Sequence, residues 1–359
     1  MAKQRQSNIE LLRILAILGV ILLHYNNDSS GGGFRFVEPG SLNQGILFLI
    51  ECCAICAVDL FVLVSGYFLS KTEKRDPWKA VELVVQVILF RLGIYVLSSL
   101  NNPGSFTVKE LVVQLLPVNY FVVLYVALYF VSPYLNLLFR ALSWKQKRRF
   151  VILISILFLA IPTAVDVLKQ VLCRSLSGLS PIGLYGSQDG YTIVNFAVMY
   201  LLGAWLRDSE KTIPTGKGMV ALAGVVGFLF AWSYGGQLVN PAFRECAWAY
   251  CNPLVAAEAV LLFLLFRNLN IGTVGWINKL AESTFTVFLM HGLLISRIRI
   301  ESFVRGNPLL MLAHMILSAA AIFFCGWVVY LVYHAVTAPV FRFLKKRIPL
   351  PMLDPGENQ

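Results

Sequence analysis

The stretch Glu10-Leu-Leu-Arg13-Ile-Leu-Ala-Ile-Leu-Gly-Val-Ile-Leu-Leu-His24 decides the fold, because it is an apolar run that holds an arginine and a histidine. An α-helix turns about 100° and rises about 1.5 Å per residue. Arg13 and His24 are eleven residues apart, so they lie on one helix face, about 16 Å apart along the axis. Ionisable groups at membrane depth are costly and usually face a protein interior or a wet cavity. The pattern predicts that this helix is one wall of a reaction site.

The composition is that of a membrane protein. The chain has 359 residues, of which 58% are hydrophobic and 14% charged, and its mean hydropathy is +0.71. Soluble domains are far more polar. The net charge of +11 could suggest a nucleic-acid partner, but in a membrane protein it reflects basic cytoplasmic loops. We therefore predict an integral-membrane domain over residues 1–345, a cytoplasmic C-terminal tail over 346–359, and no nucleic-acid partner.

The apolar segments predict the topology, since a helical span needs about 20 apolar residues. The candidates cover residues 9–25, 46–69, 80–99, 112–139, 150–171, 192–206, 218–236, 252–268, 283–299 and 308–341. We predict an all-α polytopic membrane helix bundle of about ten transmembrane helices. With the N-terminus inside, the inner segments carry 20 Lys and Arg and the outer segments carry 8. Both termini are therefore expected to be cytoplasmic.

The histidines are the first candidates for chemistry. His24 is the only one in the first half of the chain, and His291, His314 and His334 follow. None pairs at His-x-x-x-His spacing, and the cysteines lack zinc-ligand spacing, so no metal site is predicted. A neutral imidazole can take a proton from a hydroxyl group. The alternative is a structural histidine that is hydrogen-bonded between helices, and it applies to both His24 and His291.

Arg13 lies near the predicted cytoplasmic end of the first span. Its guanidinium group could hold a phosphate through several N–H donors. Alternatively, it extends to the membrane surface or pairs with Glu10, three residues earlier on the same helix.

Polar residues also occur inside the second span. Asp59 lies deep in the bilayer and needs a partner, for which His24 or an arginine is a candidate. Ser65 and Gly66 form a small-residue pair that lets helices approach closely, and pure packing is the alternative to a role at the site.

Arg91 lies inside the third span. An isolated arginine at that depth requires an anion, either a substrate phosphate or a carboxylate. Glu258 in the eighth span is the candidate carboxylate, and that pairing would be structural.

Four segments resemble the acyltransferase 3 family of bacterial integral-membrane acyltransferases. They are Leu12-Arg13-Ile-Leu-Ala16 through His24, Val58-Asp59-Leu-Phe61 with Ser65-Gly66-Tyr67, Tyr125 to Asn136 together with Tyr200-Leu-Leu-Gly203, and Phe285 to His291. They occur in the family's order and extend over nearly the whole chain. The sequence departs from the family pattern at Phe288, where tyrosine is usual, and at Ile94, where a second arginine often follows Arg91.

The resemblance implies an O-acyl transfer, usually of acetyl from acetyl-CoA to a sugar hydroxyl of a surface polysaccharide or its lipid-linked precursor. It implies a location in the bacterial cytoplasmic (inner) membrane, with acyl-CoA, a glycan or glycolipid acceptor and membrane lipids as partners, and no permanently bound cofactor. The expected roles are catalysis by His24 with Asp59, acyl-CoA binding by Arg13 and Arg91, and support from Glu10, Ser65 and His291.

Two other classes of function fit a membrane bundle with buried charges. In a transporter or flippase, the groups Arg13, Asp59, Arg91 and Glu258 would form an ion or proton path. However, paired broken helices and inverted repeats, which are cues for a transporter, are not visible in the sequence. A membrane sensor or assembly subunit is the other alternative. Acyl transfer from acetyl-CoA by the purified protein, compared with a His24→Ala variant, discriminates between these classes.

The predicted topology can be tested by labelling single cysteines from outside the cell. Because 26–45 is an outer loop and 140–149 an inner one, Ser29→Cys should react with an impermeant maleimide and Lys145→Cys should not. Labelling after the membrane is made permeable controls for reactivity at both positions. The reverse pattern would overturn the orientation.

Overall fold

The computed structural model describes residues 5–101, 104, 106–209 and 212–355. The described residues are 76% helical and form no strand. Two isolated bridges, Arg75 with Leu353 and Gly183 with Gly186, are the extended pairings in this part of the chain. The predicted all-α fold class is confirmed.

The helices fall into two compact units. The first unit comprises the residues up to Leu69 and Leu142–Trp327, and the second comprises Ser70–Ala141 and the residues from Val328 onward. The first unit contains α1 Ser7–Asn26, α2 Gly33–Phe36, α3 Leu42–Ala54 and α4 Ala57–Leu69. The second contains α5 Pro77–Asn101, α6 Val108–Val113 and α7 Tyr120–Ala141. The first unit continues with α8 Trp144–Ser155, α9 Ile161–Leu172, α10 Ile193–Asp208, α11 Thr215–Val239, α12 Pro241–Trp248, α13 Pro253–Arg267, α14 Gly275–Ala281, α15 Thr284–Ile295 and α16 Glu301–Val304. The last helix, α17 Pro308–Arg347, contributes to both units.

Each predicted span falls on a helix. Within the described ranges, eight helical stretches are long and apolar enough to cross a membrane. Those without internal breaks are α1, α5, α7, α11 and α17. The others are α3 with α4, α12 with α13, and α8 with α9, the last pair joined by the π-helical turn Ile156–Ala160. The sixth and ninth predicted spans correspond to the shorter helices α10 and α15, of 16 and 12 residues. The orientation of the termini, the domain over 1–345 and the tail over 346–359 stay predictions, and the tail is described as far as residue 355.

Two predicted spans begin at the wrong residue. The second begins at Leu42 rather than 46, because the side chain of Ser41 accepts a hydrogen bond from the Gln44 amide and caps the helix. The fourth was predicted from 112, but α6 ends at Val113 and the continuous helix starts at Tyr120. Pro117 lies between them, and proline has no N–H to continue a helical ladder.

The helices α4 and α10 pack with their backbones in contact. A Cβ atom added at Gly66 would lie 2.0 Å from the Tyr200 carbonyl oxygen, and one at Gly203 would lie 2.1 Å from that of Leu63. Further along the pair, the Arg207 guanidinium lies 4.7 Å from the ring centre of Tyr67. Nearer the start of both helices, the Asn195 side chain of α10 contacts Asp59 of α4, so the contacts 59 with 195 and 67 with 207 advance in the same order and the two helices run parallel. The close approach predicted for the Ser65-Gly66 pair is thus present, and Gly66 is the residue that permits it.

The first helix packs antiparallel to α3 and α4. A Cβ atom at Gly19 would lie 3.5 Å from those of Ala54 and Ala57, which is ordinary contact. Near the other end of α1, the Asn26 amide donates to Glu51 Oε2 at 2.8 Å. The small residues bring α1 close to the second span, and the hydrogen bond between Asn26 and Glu51 joins the end of α1 to α3.

The glycine-rich loop after α1 folds back onto that helix. The Gly31 amide donates to the His24 carbonyl oxygen at 2.8 Å, and a Cβ atom there would lie 2.4 Å from the Tyr25 carbonyl oxygen. Gly32 has φ +82°, which glycine adopts without strain. This loop therefore covers the end of α1 that carries His24.

The α4–α10 contact predicts a large effect of adding one methyl group. In Gly66→Ala the new Cβ would overlap the Tyr200 backbone, so we expect a loss of at least about 1–3 kcal/mol, the usual cost of overpacking. Thermal unfolding of the purified protein measures the change. Gly224→Ala in α11 is the control, because no atom lies within 4 Å of a Cβ there. Equal thermal stability of the two variants would contradict the packing described.

Candidate functional site

The two histidines His24 and His291 lie against each other. Their ring centres are 4.4 Å apart, and the ring planes are nearly perpendicular, at 81°. His24 is near the end of α1, and His291 is in the second half of α15. His291 is 7% exposed, so the pair lies inside the first unit. The structure therefore brings together the two histidines that the sequence analysis named as a catalytic and a supporting residue.

Backbone carbonyl groups fix the tautomer of both rings. Nδ1 of His24 lies 2.9 Å from the Val20 carbonyl oxygen, and Nδ1 of His291 makes the corresponding contact with Phe288. A carbonyl oxygen can only accept, so each Nδ1 carries the proton of its neutral ring. Each Nε2 is left with a lone pair. That atom is the one which can accept a proton.

The two Nε2 atoms are available for chemistry in different ways. His291 Nε2 is buried and has no hydrogen-bond partner among the residues that the structure describes. A buried polar atom without a partner is costly, and such atoms concentrate at functional sites. His24 is less buried and is followed by the folded-back glycine loop. The pair can accept one proton from a bound hydroxyl group at the end of α1.

Arg13 lies at the other end of the α1–α15 contact. One guanidinium nitrogen pairs with Glu10 Oε2 at 2.8 Å, and the other donates to the Thr284 hydroxyl at 3.4 Å. The pairing with Glu10 considered in the sequence analysis is therefore present. The Arg13 side chain is 33% exposed and a guanidinium has five N–H donors, so donors remain for a further anion.

The contacts at both ends show that α1 and α15 run parallel. Arg13 meets Thr284 near the start of both helices, and His24 meets His291 further along both. Arg13 and His24 are separated by about 16 Å of helix rise. The prediction that they share one face of α1 is confirmed, because both contact α15.

Asp59 was expected to pair with His24 or an arginine, and this expectation is wrong. Its Oδ1 accepts a hydrogen bond from the Asn195 side-chain amide at 3.1 Å, and Oδ2 has no partner in the described part of the chain. Asp59 is 1% exposed. The carboxyl group thus joins α4 to α10, and a direct hydrogen bond that orients His24 is not formed.

Glu258 forms a second buried carboxyl site beside Asp59. It is 1% exposed, and neither oxygen has a partner with hydrogen-bond geometry within the described ranges. The polar group next to it is the Cys56 thiol, which is a weak donor. Glu258 is also near enough to Asp59 for the two carboxyl groups to interact electrostatically.

Arg91 and Ser65 both donate to backbone carbonyl groups, and the acyl-CoA-binding and supporting roles predicted for them stay predictions. Arg91 lies in the second unit, where a guanidinium nitrogen donates to the Val118 carbonyl oxygen at 3.2 Å. Its Nε atom is buried without a partner among the described residues. The Ser65 hydroxyl donates to the Phe61 carbonyl oxygen at 2.9 Å, one turn earlier on its own helix. Ser65 therefore contributes to helix packing beside Gly66.

Sequence reasoning missed the neutral partners of the charged groups. Asn195 holds Asp59, Thr284 meets Arg13, and Asn26 holds the buried Glu51. Amide and hydroxyl side chains inside apolar helices signal hydrogen bonds between helices. The sequence does not show which helices they join. No group of three or more metal-ligating side chains occurs in the part of the chain that the structure describes.

The model of the acyltransferase 3 family, described as an acyltransferase domain, matches residues 6–331 of the chain. The matched range includes α1 with its Arg13 and His24, the α4–α10 pair, and α15 with His291. No curated protein and no solved structure matches the chain.

Proposed function

The chain belongs to the acyltransferase 3 family of membrane acyltransferases, and we propose that it transfers an acyl group from acyl-CoA to a hydroxyl group of a glycan. The acceptor would be a cell-surface polysaccharide or its lipid-linked precursor, and the acyl group would be acetyl. The multi-pass protein would lie in the bacterial cytoplasmic membrane with both termini in the cytoplasm. The observation that carries the proposal is the His24–His291 pair, in which each ring keeps its Nε2 lone pair.

The proposed step uses His24 as a general base. His24 Nε2 takes the proton of the acceptor hydroxyl group while the hydroxyl oxygen bonds to the thioester carbonyl carbon. The carbon–sulfur bond then breaks, and the leaving thiolate takes the proton back from the imidazolium. The products are the ester and free CoA thiol, and the histidine returns to its neutral tautomer. No further co-reactant is needed.

His291 would position His24 rather than act on the substrate. Its ring is nearly perpendicular to that of His24 and 4.4 Å from it, so it limits how far the His24 ring can turn. The hydrogen bond from His24 Nδ1 to Val20 holds the ring from the other side. These two contacts would keep Nε2 directed at the hydroxyl group, which is the kind of orientation that general-base catalysis requires.

The donor would approach from the Arg13 end of α1. Acyl-CoA is polyanionic, and the remaining N–H groups of Arg13 could hold one of its phosphates. The basic inner loops predicted from the charge asymmetry would raise its local concentration. About 16 Å of helix rise separates Arg13 from His24. An extended thioester arm could span this distance.

The first prediction for this mechanism concerns His24. His24→Gln keeps a hydrogen-bonding side chain that cannot take the proton, so transfer should fall by about 10²- to 10⁴-fold. The assay measures acyl groups on surface glycans by mass analysis in cells with wild-type or variant protein. Binding of acetyl-CoA to the purified variant should stay near the wild-type value.

His314→Gln is the matched control, because His314 also lies near the end of α1 but contacts the Tyr25 hydroxyl, at 2.8 Å. Its variant should keep near-normal transfer. Near-normal transfer by His24→Gln would make His24 a structural residue and move the base to His291. A chain that moves glycans without any acyl transfer would instead support the transporter alternative.

The second prediction concerns the donor. Arg13→Ala should weaken acetyl-CoA binding by about 10- to 150-fold, the result of losing a charge-assisted contact with a phosphate. Calorimetric titration of the purified protein measures the affinity. Arg5→Ala is the control, because Arg5 precedes the same helix and pairs with Glu282 at 3.0 Å. An unchanged affinity of Arg13→Ala for acetyl-CoA would mean that Arg13 only forms its ion pair with Glu10 and does not bind the donor.

A further inference from the structure

A cavity with several polar side chains in its lining lies between α5 and the last turns of α17, within the second unit. Its volume is about 410 Å³, which is within the range of about 300–1,000 Å³ that is typical of small-molecule sites. Its lining includes Glu82 from α5 and Tyr333, His334, Arg342 and Lys345 from α17. Both helices are candidate membrane spans, so a cavity with so many polar side chains is unusual in its surroundings.

The length of α17 puts this cavity near a membrane surface. The helix has 40 residues, which rise about 60 Å, whereas the hydrocarbon core is about 30 Å thick. The last turns contain Lys345, Lys346 and Arg347 and therefore extend beyond the hydrocarbon. From this length we infer that the cavity lies at the level of the lipid headgroups.

The charges in the cavity leave one cation without a counterion. Lys345 Nζ lies 2.6 Å from Glu82 Oε1, so these two charges compensate each other. Arg342 also lines the cavity and is exposed, and none of the residues that the structure describes pairs with it. A guanidinium group binds phosphate oxygens through a planar fork of N–H donors. One uncompensated arginine matches the single negative charge of a phosphate diester.

The edge of α17 that carries Arg342 also carries exposed apolar side chains earlier in the helix, toward the membrane interior. Leu331 and Arg342 are eleven residues apart, which places them on one edge of the helix with about 16 Å of rise between them. Leu331 is 47% exposed and Val328, one turn earlier, is 41% exposed. A ligand with a phosphate at Arg342 would therefore have exposed apolar surface for its chains. This favours an amphiphile over a soluble phosphate.

We propose that the cavity binds the phosphate headgroup of an anionic phospholipid, with Arg342 as its main ligand. Basic pockets between transmembrane helices at a membrane surface are suited to such headgroups. The phosphates of acyl-CoA share the same chemistry, and the experiment separates the two sources. The proposal does not depend on the acyl-transfer mechanism, because its site and its measurement are independent of His24.

The test is thermal unfolding of the full chain in neutral detergent, titrated with phosphatidylglycerol, phosphatidylcholine or acetyl-CoA. Phosphatidylglycerol should raise the melting temperature in a saturable manner, and phosphatidylcholine should raise it less. Arg342→Gln should weaken the apparent affinity for phosphatidylglycerol by about 10- to 150-fold. Arg342→Lys keeps the positive charge and should therefore retain part of the affinity for phosphatidylglycerol. That result would show that the site still folds when Arg342 is replaced.

Arg347→Gln is the matched control, since Arg347 lies on the same helix but contacts the Phe343 ring and does not line the cavity. It should bind phosphatidylglycerol as the wild type does. An equal loss in Arg347→Gln would show general charge attraction and overturn the proposal. Equal stabilisation by phosphatidylcholine would also overturn the proposal. The same holds if Arg342→Gln weakens acetyl-CoA binding and leaves phosphatidylglycerol binding intact.

Discussion

Two backbone carbonyl groups determine what the candidate site can do. In a membrane helix nearly every carbonyl oxygen is used by the helical ladder, but the oxygens of Val20 and Phe288 also receive the Nδ1–H groups of His24 and His291. Each imidazole then presents a lone pair at Nε2. If the tautomers were reversed, both Nε2 atoms would be donors and neither could take a proton from a hydroxyl group. The proposed chemistry therefore depends on hydrogen bonds that lie within three or four residues of each histidine on its own helix.

The carboxyl group of Asp59 in the second span has a different partner from the one predicted. Asp59 is held by Asn195, and the adjacent contacts at Gly66 and Gly203 place the backbones of α4 and α10 against each other. Leaving Asp59 without its donor would expose an unsatisfied buried group, at a cost of roughly 1–3 kcal/mol or more. The hydrogen bond and the glycine contacts thus stabilise the same helix pair. The helix that carries His24, α1, packs on α4 of this pair where Gly19 meets Ala57.

The sequence predicted those properties that depend on local pattern. The apolar runs predicted the helices that are long and apolar enough to cross a membrane. The eleven-residue spacing placed Arg13 and His24 on one face because helix geometry is fixed. The family motifs named His291, and the structure brings it to His24. The partners of charged residues were harder to predict. Several carboxylates and arginines are equally plausible partners for Asp59, and only the packing of α4 on α10 selects the neutral Asn195. The start of α3 was also missed, because a serine cap can begin a helix before the apolar run.

The directions of the contacting helices bear on the number of crossings. Each crossing reverses the chain, so two parallel helices must be separated by an odd number of other crossings. The contacts of Arg13 with Thr284 and of His24 with His291 make α1 and α15 parallel. Between them lie six of the long apolar stretches and the 16-residue helix α10. Six crossings would make α15 antiparallel to α1, whereas seven make it parallel. If each of the six long stretches crosses once, we infer that α10 crosses as well. Its parallel contact with α4 agrees, because three candidate spans lie between them and an odd number makes two helices parallel. A helix of 16 residues spans only about 24 Å. Beside α10, the bilayer is therefore expected to be thinned, or the residues that flank the helix to extend across the remaining distance.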